Sequence, residues 1–266
     1  MTNERVDPLP NLAPLTRSRL RVEILLVLGL SLGASAVYSI VAITNRLTRE
    51  VPLSQQTATI NAARDAREIF DLVYQLLSIF FGLVPVALVV WLLWSAARPH
   101  LSRLGLDARR PWRDVRDGLG LALIIGIPGL GLYLAGRELG LTVTVVPTAL
   151  DEYWWTVPVL LLAALRAGVV EEVIAVGYLF ARLRDLRWSP WAIILTSALL
   201  RGTYHLYQGF GAFIGNVAMG ILFGWLYTRT GRLMPFVVAH TAIDAAVFVG
   251  YPAAAAAFPE LLGVPA

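Results

Sequence analysis

Ionisable side chains in the C-terminal half of the chain interrupt stretches that are otherwise almost wholly apolar. The stretch RAGVVEEVIAVGYLF, residues 166–180, places Glu171 next to Glu172, and imidazoles, guanidinium groups and a further carboxylate follow along the chain. Carboxylates and imidazoles can accept and donate protons, so these side chains could act as general acids and bases. The complete set is Arg166, Glu171, Glu172, Arg201, His205, His240 and Asp244.

The spacing of these residues groups them on helix faces. Glu171 and Glu172 are about 100° apart around a helix, so one carboxylate can face a cavity while the other pairs elsewhere. Each of the two histidines lies four residues from a charged residue, and positions four apart share one face of a helix. Three helices are therefore expected to offer an acid or an imidazole to a common interior.

The composition indicates which elements position these groups. Hydrophobic residues make up 57% of the 266 residues, only 15% are charged, and the mean hydropathy is +0.67. This profile is typical of a polytopic membrane protein. All 22 basic residues are arginine, and at this apolarity a formal charge of +4 does not indicate a nucleic-acid partner. Cysteine is absent, which excludes disulfides, thiolate metal sites and a cysteine nucleophile.

Seven stretches are apolar over a length that could cross a bilayer, whose core of about 30 Å needs roughly 20 helical residues. The predicted fold class is therefore all-α: a polytopic membrane protein with about seven transmembrane helices. The last four hold the seven ionisable residues, and the resemblance given below implies that these four form the catalytic core. The stretches cover approximately residues 22–44, 70–97, 117–136, 156–183, 189–206, 209–228 and 233–252.

The arginines predict the orientation and the division of the chain. With a cytoplasmic N-terminus, fifteen arginines fall on the cytoplasmic side of the predicted spans and five on the other side, as the positive-inside rule favours. The arginine-rich stretch 99–116 ends an N-terminal part, 1–116, which consists of a leader, two helices and a basic loop. A core, 117–252, and a C-terminal tail, 253–266, follow. Residues 45–69, with INAARDAREIF, have two interpretations: a short helix on the outer surface, or a solvated connector, which we favour.

An ionisable side chain at the centre of a membrane helix costs about 2.5–3.5 kcal/mol on insertion scales, so each one indicates a function. Two other interpretations stay open. Single intramembrane His and Asp residues often form helix–helix hydrogen bonds, and a series of acids and histidines is also typical of an ion path in a transporter. The transporter lacks support from an inverted repeat or a pair of broken helices. The glycines of GNVAMGILFGW are interpreted as a close-packing surface between helices.

Three motifs in order give the chain its resemblance to a known family. A Glu-Glu pair is followed by Gly-Tyr-Leu at 177–179, the next predicted helix carries a single histidine, and TGRLMPFVVAHTAID at 230–244 brings a histidine with an acid four residues on. Over about residues 155–250 this pattern resembles the CPBP family of intramembrane endopeptidases. That family includes the type II CAAX prenyl proteases and the bacteriocin-processing or immunity (Abi) proteins. About the first 110 residues carry none of the pattern.

The resemblance implies a role for each residue at a motif position. Glu171 would activate a water, with Glu172 in the second position of the first motif. His205 would orient or deprotonate that water. His240 matches the histidine of the last motif, and Asp244 takes the position assigned to stabilising the oxyanion. These five residues are the predicted catalytic set, and the implied activity is glutamate-dependent hydrolysis of a peptide bond in or near the membrane.

Two departures from the family pattern concern an arginine. The pattern has an arginine one helical turn after the second glutamate, where this chain has Val176. It commonly has a phenylalanine four residues before the second-motif histidine, where this chain has Arg201. We predict that Arg201 supplies the missing guanidinium and pairs with Glu172 across the helices. The other interpretation is that the lost arginine marks a relative without peptidase activity.

The role of Asp244 and the need for a metal are left open by the residues. An ionised carboxylate would repel an oxyanion, so Asp244 is either protonated, or orients His240 through a ring nitrogen, or helps to hold a metal. A divalent metal such as zinc could be bound by Glu171, His205 and His240, which offer suitable nitrogen and oxygen ligands. The zinc motif His-Glu-x-x-His is absent.

The predicted function is an intramembrane endopeptidase, and the alternative is a catalytically inactive immunity or partner-regulating membrane protein of the same fold. A proton-coupled transporter comes third. The expected partners are the lipid bilayer and a substrate that is a membrane protein or a lipidated peptide. A composition with arginine as its only cation and no cysteine fits an integral protein of the bacterial plasma membrane, where a prenylated CAAX tail is not the expected substrate.

Overall fold

Helices form most of the molecule in the computed structural model, which describes residues 16–94 and 100–257. Within these ranges, all seven predicted membrane segments fall on helices. Two segments with π-helical hydrogen bonding, Glu172–Tyr178 and Ala246–Gly250, continue α7 and α11, and 3₁₀ turns cover Leu53–Gln55 and Leu206–Gln208. The α-helices are α1 (Arg17–Gly29), α2 (Leu32–Leu47), α3 (Glu68–Gly82), α4 (Val84–Leu92), α5 (His100–Arg103), α6 (Pro111–Glu138), α7 (Thr156–Glu171), α8 (Leu179–Asp185), α9 (Pro190–His205), α10 (Phe210–Thr230), α11 (Met234–Ala245) and α12 (Tyr251–Ala257).

Proline, serine and glycine set the ends of several helices that carry the candidate site or pack against it. α6, α9 and α11 each have a proline in the first turn, where the missing N–H is not needed. At α9 the Oγ of Ser189 also accepts a hydrogen bond from the Ala192 N–H at 3.3 Å. α10 is followed by Gly231, whose left-handed φ of 61° lets the chain turn directly into α11.

Four helices among the described residues are long and apolar enough to cross a membrane, and a bent pair raises that number to five. The pair is α1 and α2, which cover the predicted first span and bend by 57°. The other two predicted spans are helical but shorter or more polar: α9 has 16 residues, and α7 carries Arg166 and Glu171. The molecule is an all-α polytopic membrane protein. The four helices are Glu68–Leu92, Pro111–Glu138, Phe210–Thr230 and Met234–Ala254.

A small parallel sheet is added to the helical fold. β1 (Thr57–Ala62) pairs with β2 (Thr144–Ala149), with Thr57 opposite Thr144. The interpretation of INAARDAREIF as a surface helix is wrong, because its first residues lie in β1 and α3 begins only at Glu68. Alternating threonine and apolar residues in TATINA favour a strand over a helix.

The N-terminal helices pack against the helices that carry the candidate site. Arg182 Nε donates to Glu23 Oε1 at 2.7 Å, and Tyr178 Oη donates to the same oxygen at 3.0 Å. Arg182 Nη2 also donates to the carbonyl oxygen of Leu92 at 2.8 Å, so α1, α4 and α8 meet on one buried guanidinium. Apolar residues of α1 belong to the same buried cluster as those of the first π-helical segment.

Candidate active site

Glu172 lies at the centre of a buried network of charged groups. Its Oε1 accepts a hydrogen bond from Arg201 Nη2 at 2.6 Å and another from the Nδ1–H of His240 at 2.8 Å. Glu172 and Arg201 are fully buried, and His240 is 3% exposed. A buried carboxylate needs partners of this kind to offset the loss of water. The pairing of Arg201 with Glu172 that the sequence predicted is confirmed as a contact.

The second ring nitrogen of His240 is turned toward two other carboxylates. An ionised carboxylate only accepts hydrogen bonds, so Nδ1 carries the proton that it donates to Glu172. Nε2 lies 3.8 Å from Oε2 of Glu171 and 3.7 Å from Oδ2 of Asp244. Asp244 is therefore placed to orient His240, which is one of the three roles that the sequence left open.

Glu171 has different surroundings from its neighbour. Tyr204 Oη donates to its Oε2 at 2.6 Å, a distance typical of a hydrogen bond to a charged acceptor. Three nitrogens lie just beyond hydrogen-bonding distance of the same oxygen: Arg201 Nη1 and His205 Nε2 at 3.6 Å each, and His240 Nε2 at 3.8 Å. A water can bridge polar groups at such separations. Glu171, with a side chain 13% exposed, is thus the carboxylate that stays available for chemistry.

Several buried polar atoms around the cluster have no hydrogen-bond partner within the described ranges. Both ring nitrogens of His205 belong to this group. An unpaired buried polar group costs about 1–3 kcal/mol, so these atoms are suited to bind a water or the backbone of a peptide. The others near the site are Oε2 of Glu172, Nε of Arg201 and Oγ1 of Thr241.

Two π-helical segments adjoin the clustered residues. Glu171 is the last residue of α7 and Glu172 the first of the segment 172–178, while Asp244 lies just before the segment 246–250. A π-helical turn contains an extra residue, so it re-aims the side chains on either side of it, and such turns are frequent at functional sites. The two carboxylate-bearing helices therefore share an irregularity at the depth of the site.

Glycines let the helices of the site approach closely. A Cβ on Gly220 would lie 2.7 Å from Cα of Ala198 in α9, and one on Gly168 would lie 2.6 Å from Oγ1 of Thr241 in α11. The prediction that the glycines of GNVAMGILFGW form a packing surface is confirmed. A Cβ on Gly215, Gly220 or Gly224 would lie within 3.3 Å of an atom of another helix.

An apolar side chain fills the position where the family pattern has an arginine. Val176 is 1% exposed and belongs to the main apolar cluster. The guanidinium comes instead from α9, where Arg201 reaches Glu172 in the neighbouring helix. A cation therefore accompanies the glutamate pair, but a different helix supplies it.

The five predicted catalytic residues and Arg201 come together in one cluster, linked by separations of 3.8 Å or less. Their roles in a reaction stay predictions. Sequence reasoning missed Tyr204, because a tyrosine in an apolar helix gives no sign of what its hydroxyl binds. Arg166, the seventh ionisable residue, has no hydrogen bond or ion pair to the cluster among the residues that the structure describes.

The predicted metal ligands do not fit a metal ion in this arrangement. Within residues 16–94 and 100–257, no group of three or more His, Asp or Glu side chains could hold one. Arg201, a permanent cation, also lies 3.6 Å from Oε2 of Glu171 and would repel a divalent ion at that oxygen. Binding of zinc by Glu171, His205 and His240 stays a prediction that chelation of the purified protein can test, and no step below is routed through a metal.

The fold and the site define a polytopic helical membrane protein with a buried cluster of acids, histidines and a guanidinium. Residues 153–246 match the family model described as "Type II CAAX prenyl endopeptidase Rce1-like". The matched segment holds every residue of the cluster, and it confirms the predicted family resemblance for this part of the chain. Neither a curated protein nor a solved structure matches the chain.

Proposed function

We propose that the protein is an intramembrane endopeptidase that hydrolyses a peptide bond of a membrane-associated protein with a water activated by Glu171. The observation that carries the proposal is the unequal surroundings of the two glutamates. Glu172 has two nitrogens at hydrogen-bonding distance, whereas three nitrogens stand 3.6 to 3.8 Å from Glu171. Glu172 is fixed as a support by a guanidinium and an imidazole, whereas Glu171 accepts a hydrogen bond from the Tyr204 hydroxyl and keeps acceptor capacity for a proton from a water.

Glu171 acts as the general base in the proposed reaction. A water bound between its Oε2 and Nε2 of His205 loses a proton to the carboxylate as the water oxygen attacks the peptide carbonyl. The unpartnered ring nitrogens of His205 support this role, because a water would satisfy one of them. Glu171 then gives the proton to the departing amine, so the proton balance closes on one residue.

In the proposed reaction, donors for the oxyanion come from Arg201 of α9 and His240 of α11. The negative charge that develops on the carbonyl oxygen is stabilised by donors that are already in place. Arg201 has a buried, unpartnered Nε, and its Nη1 is directed toward Glu171. His240 is oriented by Glu172 at one nitrogen and by Asp244 near the other. In this proposal Asp244 positions His240 and does not contact the oxyanion, which avoids repulsion between two negative charges.

The proposed substrate is a peptide segment that reaches the site within the bilayer, from a membrane protein or a lipidated peptide. The cluster lies among helices of a membrane protein, so the scissile bond has to be presented there. The matched family model names a prenylated CAAX substrate, but no group in the cluster selects an isoprenoid, and we do not extend that substrate to this chain. The arginine distribution supports a cytoplasmic N-terminus, and a composition with arginine as its only basic residue besides histidine and no cysteine fits a bacterial plasma membrane.

A catalytically inactive protein of the same fold is the second candidate. Two observations favour it: Val176 stands where the family pattern has an arginine, and Tyr204 Oη occupies the oxygen of Glu171 that would accept the proton. Such a protein would bind a membrane partner, as an immunity or partner-regulating factor does, without cleaving it.

Cleavage of membrane and lipidated peptides by the purified protein separates the two candidates. The samples are wild type, Glu171→Gln, and the control Glu138→Gln, which makes the same change at an exposed residue of α6. The peptidase proposal expects cleavage by wild type and by the control, and a loss of about a hundredfold or more in Glu171→Gln. Partner binding without cleavage by any of the three would favour the inactive protein.

A further inference from the structure

Arg166 is a cation inside α7 for which the described residues provide no ion pair or hydrogen bond. Its side chain is partly buried, and Glu171 and Asp244 are the carboxylates that act most strongly on its charge, although neither contacts it. A charge in an apolar interior is costly unless an opposite charge meets it. The partner of Arg166 is therefore expected to be an anion from outside the described part of the chain.

A glycine of a neighbouring helix makes space for this guanidinium. A Cβ on Gly82 of α3 would lie 2.9 Å from Cδ and 3.0 Å from Nη1 of Arg166. These atoms belong to the flexible end of a side chain, so an alanine at position 82 would displace the guanidinium and leave the backbone of α3 in place. Position 82 therefore offers a way to move the guanidinium without changing its charge.

The depth of Arg166 argues against a lipid phosphate as its partner. Arg166 lies ten residues after Thr156, the first residue of α7, which is about 15 Å along the helix axis. Lipid phosphates stay in the headgroup region, outside the hydrocarbon core. An anion that shares the interior with Glu171 and Asp244 is more simply part of a bound substrate.

We propose that Arg166 is a specificity-determining residue that binds a carboxylate of the substrate, an inference that rests on the proposed peptidase function. A guanidinium forms two parallel hydrogen bonds with a carboxylate, which fixes both position and orientation. Arg166 and Glu171 are five residues apart, about 7.5 Å along the helix, and the arginine side chain extends that separation. At about 3.3 Å per extended residue, the carboxylate lies about two to four residues from the scissile bond.

Binding of charged and neutral peptides to an inactive variant tests this proposal. Glu171→Gln protein in phosphatidylcholine nanodiscs is titrated with a fluorescent hydrophobic peptide of about 20 residues. Four forms of the peptide combine a free C-terminus or a C-terminal amide with an internal Glu or Gln. A terminal carboxylate and a side-chain carboxylate are thereby tested separately. We expect a peptide whose carboxylate reaches Arg166 to bind about ten- to a hundredfold more tightly than the amidated peptide with Gln, which has no carboxylate. Adding Arg166→Gln should abolish this preference, and adding Gly82→Ala should weaken it.

Two control variants distinguish recognition from a general effect of charge. Arg67→Gln removes the same charge from a side chain that is 67% exposed and paired with Asp65, so it should keep the preference. Glu260→Gln removes an acid outside the described residues. If only the variant with Glu260→Gln binds the charged peptide more tightly than the neutral one, the proposal is overturned. The partner of Arg166 would then be Glu260 of the chain itself and not a carboxylate of the substrate.

The outcomes separate this inference from the proposed function. Equal binding, or no binding, of charged and neutral peptides by protein with Arg166 intact overturns the inference, even if wild type cleaves peptides. If peptide binding depends on Arg166 but the wild-type protein cleaves no peptide, the carboxylate-binding role of Arg166 is supported and the peptidase proposal is rejected. Arg166→Gln is expected to unfold at an unchanged or higher temperature, because it removes an unpaired cation, and a marked loss of stability would contradict that.

Discussion

At the scale of single residues, the two adjacent glutamates differ because of what each side chain reaches. Glu172 meets a guanidinium and an imidazole, and Glu171 meets a tyrosine hydroxyl. The sequence predicted that Arg201 pairs with Glu172, because a carboxylate in an apolar helix needs a positive partner and Arg201 lies in a neighbouring predicted helix. Tyr204 could not be predicted, since an aromatic residue in a membrane helix gives the same pattern whether its hydroxyl binds a carboxylate or faces the interface.

Replacing Arg201 with phenylalanine should unfold the protein or abolish its activity. The change leaves Glu172 buried without its cation, and breaking a buried ion pair in this way costs about 3–5 kcal/mol. Adding Val176→Arg restores a guanidinium at the position of the family pattern, so the double variant should regain stability and activity. Thermal unfolding in detergent and peptide cleavage, measured on the same samples, test this. If the double variant is no more stable and no more active than Arg201→Phe, the prediction that Arg201 replaces an arginine at position 176 is wrong.

Replacing Tyr204 with phenylalanine should lower kcat about tenfold and leave KM nearly unchanged. The variant loses a hydrogen bond to the carboxylate of Glu171, the proposed base. Hydrogen bonds to charged groups are worth about 1.5–3 kcal/mol, and the proposal assigns Tyr204 no contact that holds the peptide. Tyr207→Phe is the matched control, because the hydroxyl of Tyr207 accepts from Gln208. An increase in kcat for Tyr204→Phe would instead show that the hydroxyl keeps Glu171 inactive.

At the scale of elements, apolar length and small residues made the helices and their closest contacts predictable. The π-helical segments were not, because a π turn shifts the register by one residue without changing which residues are apolar. β1 and β2 were also missed. Each has six residues, and each finds its partner far along the chain, where no local pattern indicates the pairing.

Replacing Gly220 with alanine should destabilise the protein by about 1–3 kcal/mol. The new Cβ would lie 2.7 Å from the backbone of Ala198 and push α10 away from the helix that carries Arg201. Gly120→Ala in α6 is the control, because a Cβ there meets nothing within 4 Å. The control should be neutral or more stable by about 0.5–1 kcal/mol. Equal unfolding free energies for the two variants would contradict this account of the packing.

The loop before α6 should make stability depend on pH in the acid range. Arg232 Nη1 donates to Asp107 Oδ1 at 3.1 Å. The backbone N–H of Arg109, and then Arg232, lower the pKa of Asp107 from its usual value of 3.8. A carboxyl group with a lowered pKa stabilises the folded state above its unfolded pKa and loses that contribution as the pH falls. The unfolding temperature should therefore drop below about pH 4 in wild type and less in Asp107→Asn. Identical pH profiles would contradict the prediction.

At the scale of the whole molecule, the N-terminal helices support the site from a distance. Arg182 of α8 binds Glu23 of α1 and the backbone of α4, and α8 continues the π-helical segment that begins with Glu172. This support could not be predicted, because the first 110 or so residues lack the family pattern and the ion pair joins positions that are distant in the sequence. The bend of 57° between α1 and α2, within the predicted first span, could not be predicted either, since apolar length does not reveal a bend.

In the proposed reaction, Glu171 activates the water while Glu172 holds the site together. Peptide hydrolysis by purified wild type and by Glu171→Gln, at matched folded concentration, tests it most directly. We expect cleavage by wild type and a rate lower by about a hundredfold or more in Glu171→Gln, with little change in unfolding temperature because Glu172 keeps its partners. Cleavage by Glu171→Gln at the wild-type rate would contradict it.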